Sequence, residues 1–151
     1  MTMKKLILKT IATIVFLSLF AACKKSAHVK TNTELLTQSS WKFDHATAQG
    51  FGDISAQIPS CYKDNIVVFA SNGTGNVDEA TNVCSPSTAG SFTWNFQTNE
   101  TVLHLSTILF SGGSTDFTIV SLNETNLVIS QNVILPPPGS IMVTVEFTLK
   151  H

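Results

Sequence analysis

The chain has no arginine, a single tyrosine and three cysteines, and only 13% of its residues are charged. Without arginine, and with nine lysines against ten acidic residues for a net charge of −1, it lacks the clustered cationic surface that phosphate contacts require, so no nucleic-acid partner is expected. The charges are also unevenly placed. Residues 31–151 hold Lys42, Lys63 and Lys150 against all ten acids, a net of −7. No stretch beyond the first forty residues carries a 3.6-residue apolar repeat, which excludes a helical domain. Catalytic signatures are missing too: there is no His-Glu-x-x-His, no Gly-x-Ser-x-Gly elbow and no phosphate loop. The histidines are scattered at His28, His45, His104 and His151. Asp44 and His45 are neighbours on a predicted strand and are expected on opposite faces. Asn72, Asn76, Asp78 and Glu79 lack the spacing of a calcium loop. No catalytic residue, metal ligand or cofactor is therefore assigned, and the chain is not expected to be an enzyme.

One long apolar run is present, at the start. Lys4, Lys5 and Lys9 precede the uncharged segment Thr10–Ala22, thirteen residues long, which ends Leu19-Phe20-Ala21-Ala22-Cys23. A charged start, a short apolar centre and small residues before a cut are the layout of a secretory signal. Thirteen residues fall short of the roughly 20 that a membrane-spanning helix needs. The Ala21-Ala22-Cys23 ending resembles a lipoprotein box, which implies a signal peptide over residues 1–22 and a lipidated Cys23. Residues 23–32, with Lys24, Lys25 and Lys30, read as a basic, flexible tether, and residues 33–151 as one domain.

Export to an oxidising compartment makes a disulfide between the two remaining cysteines, Cys61 and Cys84, the expected pairing. These cysteines are equidistant from Asn72-Gly73, a dipeptide that favours a two-residue hairpin turn between β-prone arms. An unbulged hairpin about that turn would set them opposite each other. Before it, Thr31-x-x-Glu34 has the form of a capping box, predicting a helical turn through Leu35-Leu36. Gly50 to Ser60 reads as a loop or irregular edge. The rest alternates at period two: Trp41, Phe43 and His45; the two hairpin arms; Ser91–Gln97; Thr101–Ser106; Thr115–Leu122; Leu127–Ser130. The last strand carries Ile141, Val143, Val145, Phe147 and Leu149 on one face. Pro136-Pro137-Pro138-Gly139 reads as a stiff loop. Eight short strands with tight turns predict an all-β fold, an eight-stranded antiparallel up-and-down barrel with a short N-terminal helical turn, with a β-sandwich as the alternative.

The order of these features, from the lipobox through Leu35-Leu36, Trp41, Cys61-x-x-Asp64-Asn65, Asn72-Gly73, Cys84 and Trp94 to Leu122-Asn123-Glu124-Thr125-Asn126-Leu127, resembles that of bacterial lipocalin-like domain lipoproteins. The resemblance covers most of residues 34–149. It implies a lipocalin-like barrel anchored to the membrane through its N-terminal lipid and binding a small apolar or amphipathic ligand. Candidate ligand-binding side chains are Trp41, Phe43, Phe69, Phe92, Trp94, Phe96, Phe117 and Phe147. A barrel of eight strands is just wide enough either to be filled by side chains or to hold one small ligand. The same aromatic set therefore supports a second expectation, a filled barrel serving as a structural or protein- or glycan-interaction lipoprotein. Surface-displayed lipoproteins of some bacterial groups carry acidic residues after the cysteine. Lys24 and Lys25 are the opposite, which points to the cell envelope of a Gram-negative-type bacterium, on the outer membrane facing the periplasm.

Overall fold

A computed structural model describes residues 28–110, 112–134 and 141–151. The predicted signal peptide, Cys23, the first part of the tether and the proline loop at 136–139 lie outside the described residues. The remainder is one antiparallel sheet of nine strands. In chain order these are β1 Trp41–Ala48, β2 Gly52–Asp53, β3 Ile66–Phe69, β4 Thr74–Asp78, β5 Gly90–Gln97, β6 Val102–Leu105, β7 Asp116–Leu122, β8 Asn126–Ile134 and β9 Met142–Lys150. Each strand from β3 to β9 pairs with the next, and β9 returns to β1 from Lys42↔Lys150 to Ala48↔Val145. The two-residue β2 is only an appendage on β1. The fold is thus a closed eight-stranded up-and-down barrel, and the sandwich alternative is excluded. Closure leaves no long unpaired edge.

The capping box forms as its sequence dictates. Thr31 Oγ1 accepts from the Glu34 amide at 3.2 Å, and Glu34 Oε2 accepts from the Thr31 amide at 2.7 Å. That reciprocal pair starts the helix Asn32–Thr37. The Thr31 amide, then the His28 ring, hold the Glu34 carboxyl down at about 2. Leu36 is fully buried, and its carbonyl accepts from Trp41 Nε1 at 2.8 Å, so the helix closes one end of the barrel. At that end lie the turns at 71–73, 98–101 and 123–125 and the final residue. His151 packs against Trp41 with 3.9 Å between ring centres and the planes tilted by 37°, and binds the Ser40 carbonyl through Nδ1 at 2.8 Å. The end of the tether also lies there: Lys30 Nζ meets Glu124 at 3.0 Å and Gln38 at 2.8 Å, and His28 meets Glu34 at 3.1 Å.

The structure revises four local expectations. First, the Asn72-Gly73 hairpin has a three-residue loop. Ala70 N donates to Thr74 O at 2.8 Å, and of the turn residues only Gly73 is left-handed, at φ +82°. Asn72 instead accepts from Thr74 N and Oγ1 through its side chain. The register becomes Val67↔Val77 and Phe69↔Gly75, one residue off the symmetric pairing. Val77 is the one large apolar residue of the return strand, and only this register places it on the core face with Val67 and Phe69. Second, the cysteines do not lie opposite each other on that ladder. Cys61 sits in a short helix, Ser60–Lys63, and Cys84 in the loop after β4. They are nonetheless bonded, with Cα atoms 5.1 Å apart.

Third, a β-bulge between Phe43 and His45 turns the second half of β1 over. Ala46 and Ala48 face the core, while His45 lies outside beside Asp44, Nδ1 to Oδ2 at 2.6 Å. The two neighbours expected on opposite faces therefore share one. Fourth, Ile141 precedes the last strand and is 45% exposed, although Val143, Val145, Phe147 and Leu149 point inward as predicted.

Candidate functional site

The barrel has two unlike ends. At the helix-capped end, Phe69 packs edge-on against Phe92 at 5.5 Å and Trp94 at 5.7 Å, and Trp94 against Phe96 at 5.4 Å. The Trp94 indole donates to the carbonyls of Ala70 and Thr74, fastening the hairpin loop. With Trp41 beneath the helix, five of the eight predicted ligand-binding aromatics thus form the floor of the barrel. Phe43, Phe117 and Phe147 each lie near Phe110 instead.

The opposite end is built from the loops that β1, β4, β6 and β8 run into. Above the Trp41–Lys42 pairing with Val67 and Ile66, β1 and β3 separate, and residues 52–63 fill the seam. Ile54 N donates to Ala46 O at 2.9 Å, and Ser55 Oγ accepts from Ala46 N at 2.9 Å. The Cys61–Cys84 bond ties this filler to the loop after β4. That loop is organised on the side chain of Glu79, which is 3% exposed. Its carboxylate accepts from Ser87 Oγ at 2.6 Å, from Thr88 N and Oγ1 at 2.7 and 2.9 Å, and from Cys84 N at 3.2 Å. The Ser87 hydroxyl and then the Thr88 amide bring its pKa to about 2, against the penalty of burial. Asp64 plays the same part for Thr81 and Asn82. The acidic residues of this hairpin are thus structural. Asn72 lies at the floor end and Glu79 at the other end of β4, and among the described residues no three metal-ligating side chains gather.

From the β6–β7 connection, Leu109 and Phe110 turn down into this open end and are 6% and 9% exposed. Phe110 stacks flat on Phe147, with ring centres 4.0 Å apart and planes 1° from parallel. It meets Phe117 edge-on at 6.2 Å and faces Tyr62 at 6.4 Å. Gln131 Oε1 accepts from Ser114 N at 2.7 Å and fixes the return of the segment into β7.

Among the described residues, two voids lie inside this end, and Phe110 and Tyr62 line both. One, of about 20 Å³, is walled by Phe43, Val67, Val77 and Leu149 and touched by Asn65. The other, of about 70 Å³, is walled by Ile54, Ile58, Val133, Val145 and Phe147. Asn65 is 7% exposed; its Nδ2 donates to Thr88 Oγ1 at 3.4 Å, and its Oδ1 has no partner. Around the rim, Phe51, Val83, Ile108, Ile134, Ile141 and Met142 are 45–67% exposed. Sequence reasoning missed Tyr62, Asn65 and Phe110. The available signal was Ile108-Leu109-Phe110, an apolar triplet in a connection that ends in two glycines.

On the outer wall, Thr148 Oγ1, His45 Nε2 and Asp44 stand in series, at 3.3 Å from hydroxyl to ring and 2.6 Å from ring to carboxylate. A nucleophile, its base and the group that orients the base are arranged this way. Here Thr148 is 9% exposed, and Lys150 shares the Asp44 carboxylate at 2.9 Å. The His45 and Lys150 contacts lower the Asp44 pKa. The set clasps β1 to β9 across the bulge, and neither interior void touches it.

The sequence profile of the lipocalin-like domain matches residues 30–129. No curated protein matches the chain. Among solved structures, a complex of bovine odorant binding protein with a selenium-containing odorant is similar at 15% identity. That match covers 84% of this chain and 77% of the other, with a TM-score of 0.42. The profile spans well over half of the sequence and begins at the tether end that docks beneath the barrel floor, so the chain belongs to the lipocalin-like domain family.

Proposed function

We propose that the chain is a lipid-anchored binding protein of a bacterial cell envelope that takes a small apolar or amphipathic molecule into the open end of its barrel. The observation that carries this reading is the polarity of that end. Its two voids have mostly apolar walls and one unpartnered amide oxygen, and its rim exposes apolar side chains. An apolar site with few polar groups is the usual composition of small-molecule pockets.

The charged start, the apolar run and Cys23 support the anchor, and Lys24-Lys25 support the periplasmic face of the outer membrane. Four residues separate Cys23 from His28, a reach of at most about 17 Å. Because His28 and Lys30 dock at the floor, a lipid on Cys23 turns the floor toward the membrane and the open end away from it. Catalysis has no part in this reading. Native mass spectrometry of the protein after exposure to envelope lipid extracts tests the binding. A retained small molecule is expected, and a protein that stays bare across extracts defeats the reading. Metabolic labelling with palmitate, lost in Cys23→Ala, tests the anchor.

The size of the voids favours a second reading, a filled barrel that meets a protein or glycan. Pockets for small molecules usually run to about 300–1,000 Å³, against about 20 and 70 Å³ here. Cross-linking in the envelope that repeatedly recovers one macromolecule through the rim, with no small molecule retained, is its expected signature.

A further inference from the structure

The two voids are separated by two side chains that line both, Tyr62 and Phe110, and Phe110 is the one that comes down from a loop. Phe110 lines both, lies flat on Phe147 and is reached from solvent past the exposed Ile108. It comes from a connection between strands, where a buried aromatic has no part in any ladder. Taking the ring away would join the voids. A phenyl ring fills on the order of 100 Å³ of a close-packed interior, so the joined space is about 200 Å³. Apolar cavities of about 150 Å³ hold benzene. The walls would be mostly aliphatic and aromatic, with Thr88 as well as Asn65 at one side, Phe147 as a bare ring face and Asn65 Oδ1 as a buried acceptor lacking a donor. An unmet acceptor at that depth is destabilising, and a ligand donor would satisfy it.

We propose that Phe110 is the chain's own occupant of the binding position, and that the molecule replacing it is a compact aromatic with one hydrogen-bond donor, such as a phenol. The ring takes the place of the Phe110 ring on Phe147, and its hydroxyl donates to Asn65 Oδ1. The proposal rests on the ligand-binding reading above and narrows it. Exchange of one ring for another keeps the stack on Phe147 and the apolar burial nearly constant, so the hydrogen bond to Asn65 sets the preference among ligands. Long acyl chains are excluded by the floor, where the Phe69, Phe92, Trp94 and Phe96 rings pack against one another.

The test is titration of the chain purified from membranes, as parent, Phe110→Ala and Asn65→Leu/Phe110→Ala, with phenol and with toluene. Phe110→Ala should bind phenol at least tenfold more tightly than the parent does, and at least tenfold more tightly than it binds toluene. Asn65→Leu should erase the phenol preference and leave toluene binding intact. A folded Phe110→Ala that binds neither molecule overturns the proposal, and equal affinity for both overturns the ligand class. If that variant does not fold, hydrogen exchange in the parent decides. Excess phenol should speed exchange of the Gly113 amide, which donates to the Phe110 carbonyl, and unchanged exchange overturns the proposal. Native mass spectrometry of the parent separates the two claims. A lipid-extract molecule held by the parent with no phenol site in Phe110→Ala retains the binding function and removes the plug. No occupant in any form removes both.

Discussion

Gly75 is the position where a single added methyl should do the most harm for its size. Its φ is not left-handed, so alanine fits the backbone and the cost is steric. Gly75 pairs with Phe69 on one side and Phe92 on the other, so all three face the core. The Phe92 ring lies across the glycine: a Cβ there would stand 2.3 and 2.4 Å from Phe92 Cζ and Cε2, and 2.7 Å from the Val68 carbonyl oxygen. The ring can be pushed, but it is set edge-on against Phe69, and the carbonyl belongs to the β3 backbone. Overpacking of this kind costs about 1–3 kcal/mol, and loss of the aromatic pair adds about 0.5–1.5 kcal/mol. Replacing a strand glycine with alanine returns about 0.5–1 kcal/mol through the unfolded chain. The net expectation for Gly75→Ala is a loss of about 1–3 kcal/mol, or roughly 5–15 °C in Tm for a domain of this size. Urea titration and calorimetry read it directly. Phe92→Leu removes the two closest atoms, so the double variant should recover about 1 kcal/mol or more relative to additivity. Gly75→Ala as stable as the parent, or an additive cycle, refutes the reasoning.

Reducing Cys61–Cys84, or replacing both cysteines with serine, should cost about 3 kcal/mol by freeing a loop of this length, seen as a lower urea midpoint. Glu79 has its pKa lowered from 4.5 to about 2, so its stabilisation is complete above about pH 4.5 and is lost as pH falls toward 2. Glu79→Gln should therefore be less stable at neutral pH and show a shallower decline between those values. Glu34, lowered into the same range, keeps part of the slope. His151→Ala should lose the ring contact with Trp41, about 0.5–1.5 kcal/mol, and shift tryptophan emission to the red. Thr31→Ala removes the helix cap, at about 1 kcal/mol in the same denaturation assay.

The parts of the fold that are periodic were legible in the sequence. Val143, Val145, Phe147 and Leu149 alternate inward as their spacing dictates, and Thr31-x-x-Glu34 starts its helix. What escaped was every place where the period breaks. The bulge after Phe43 sends Ala46 inward and His45 out, and no residue type announces it. The hairpin loop holds three residues because Val77 has to share a face with Val67 and Phe69, a requirement of the core that outweighs the local preference of Asn72-Gly73. The disulfide follows from the expected export and the two remaining cysteines, but the symmetric placement expected for them about Asn72-Gly73 is one that the ladder does not have. The cysteines meet because the seam between β1 and β3 is filled by residues 52–63, which brings Cys61 beside the Glu79 loop.

The candidate site was legible only in part, for a related reason. Period-two aromatics announce a core face and not the height at which each ring sits in the barrel. Height follows from register and strand direction. β5 runs from the open end to the floor, so Phe92, Trp94 and Phe96 descend into the helix-capped half. β7 and β9 place Phe117 and Phe147 higher, beside Phe110. The rings that fill the floor thus have a structural duty whether or not the protein binds anything. Only the upper rings face atoms that could be displaced. A survey of all eight predicted aromatics by alanine substitution should therefore divide them: Trp41, Phe69, Phe92, Trp94 and Phe96 lower stability without changing ligand selectivity, whereas Phe43, Phe117 and Phe147 change the affinity of a Phe110→Ala chain for phenol. Selectivity effects scattered equally through both groups would mean that the floor is part of the site, and that the division of the barrel into two ends is wrong.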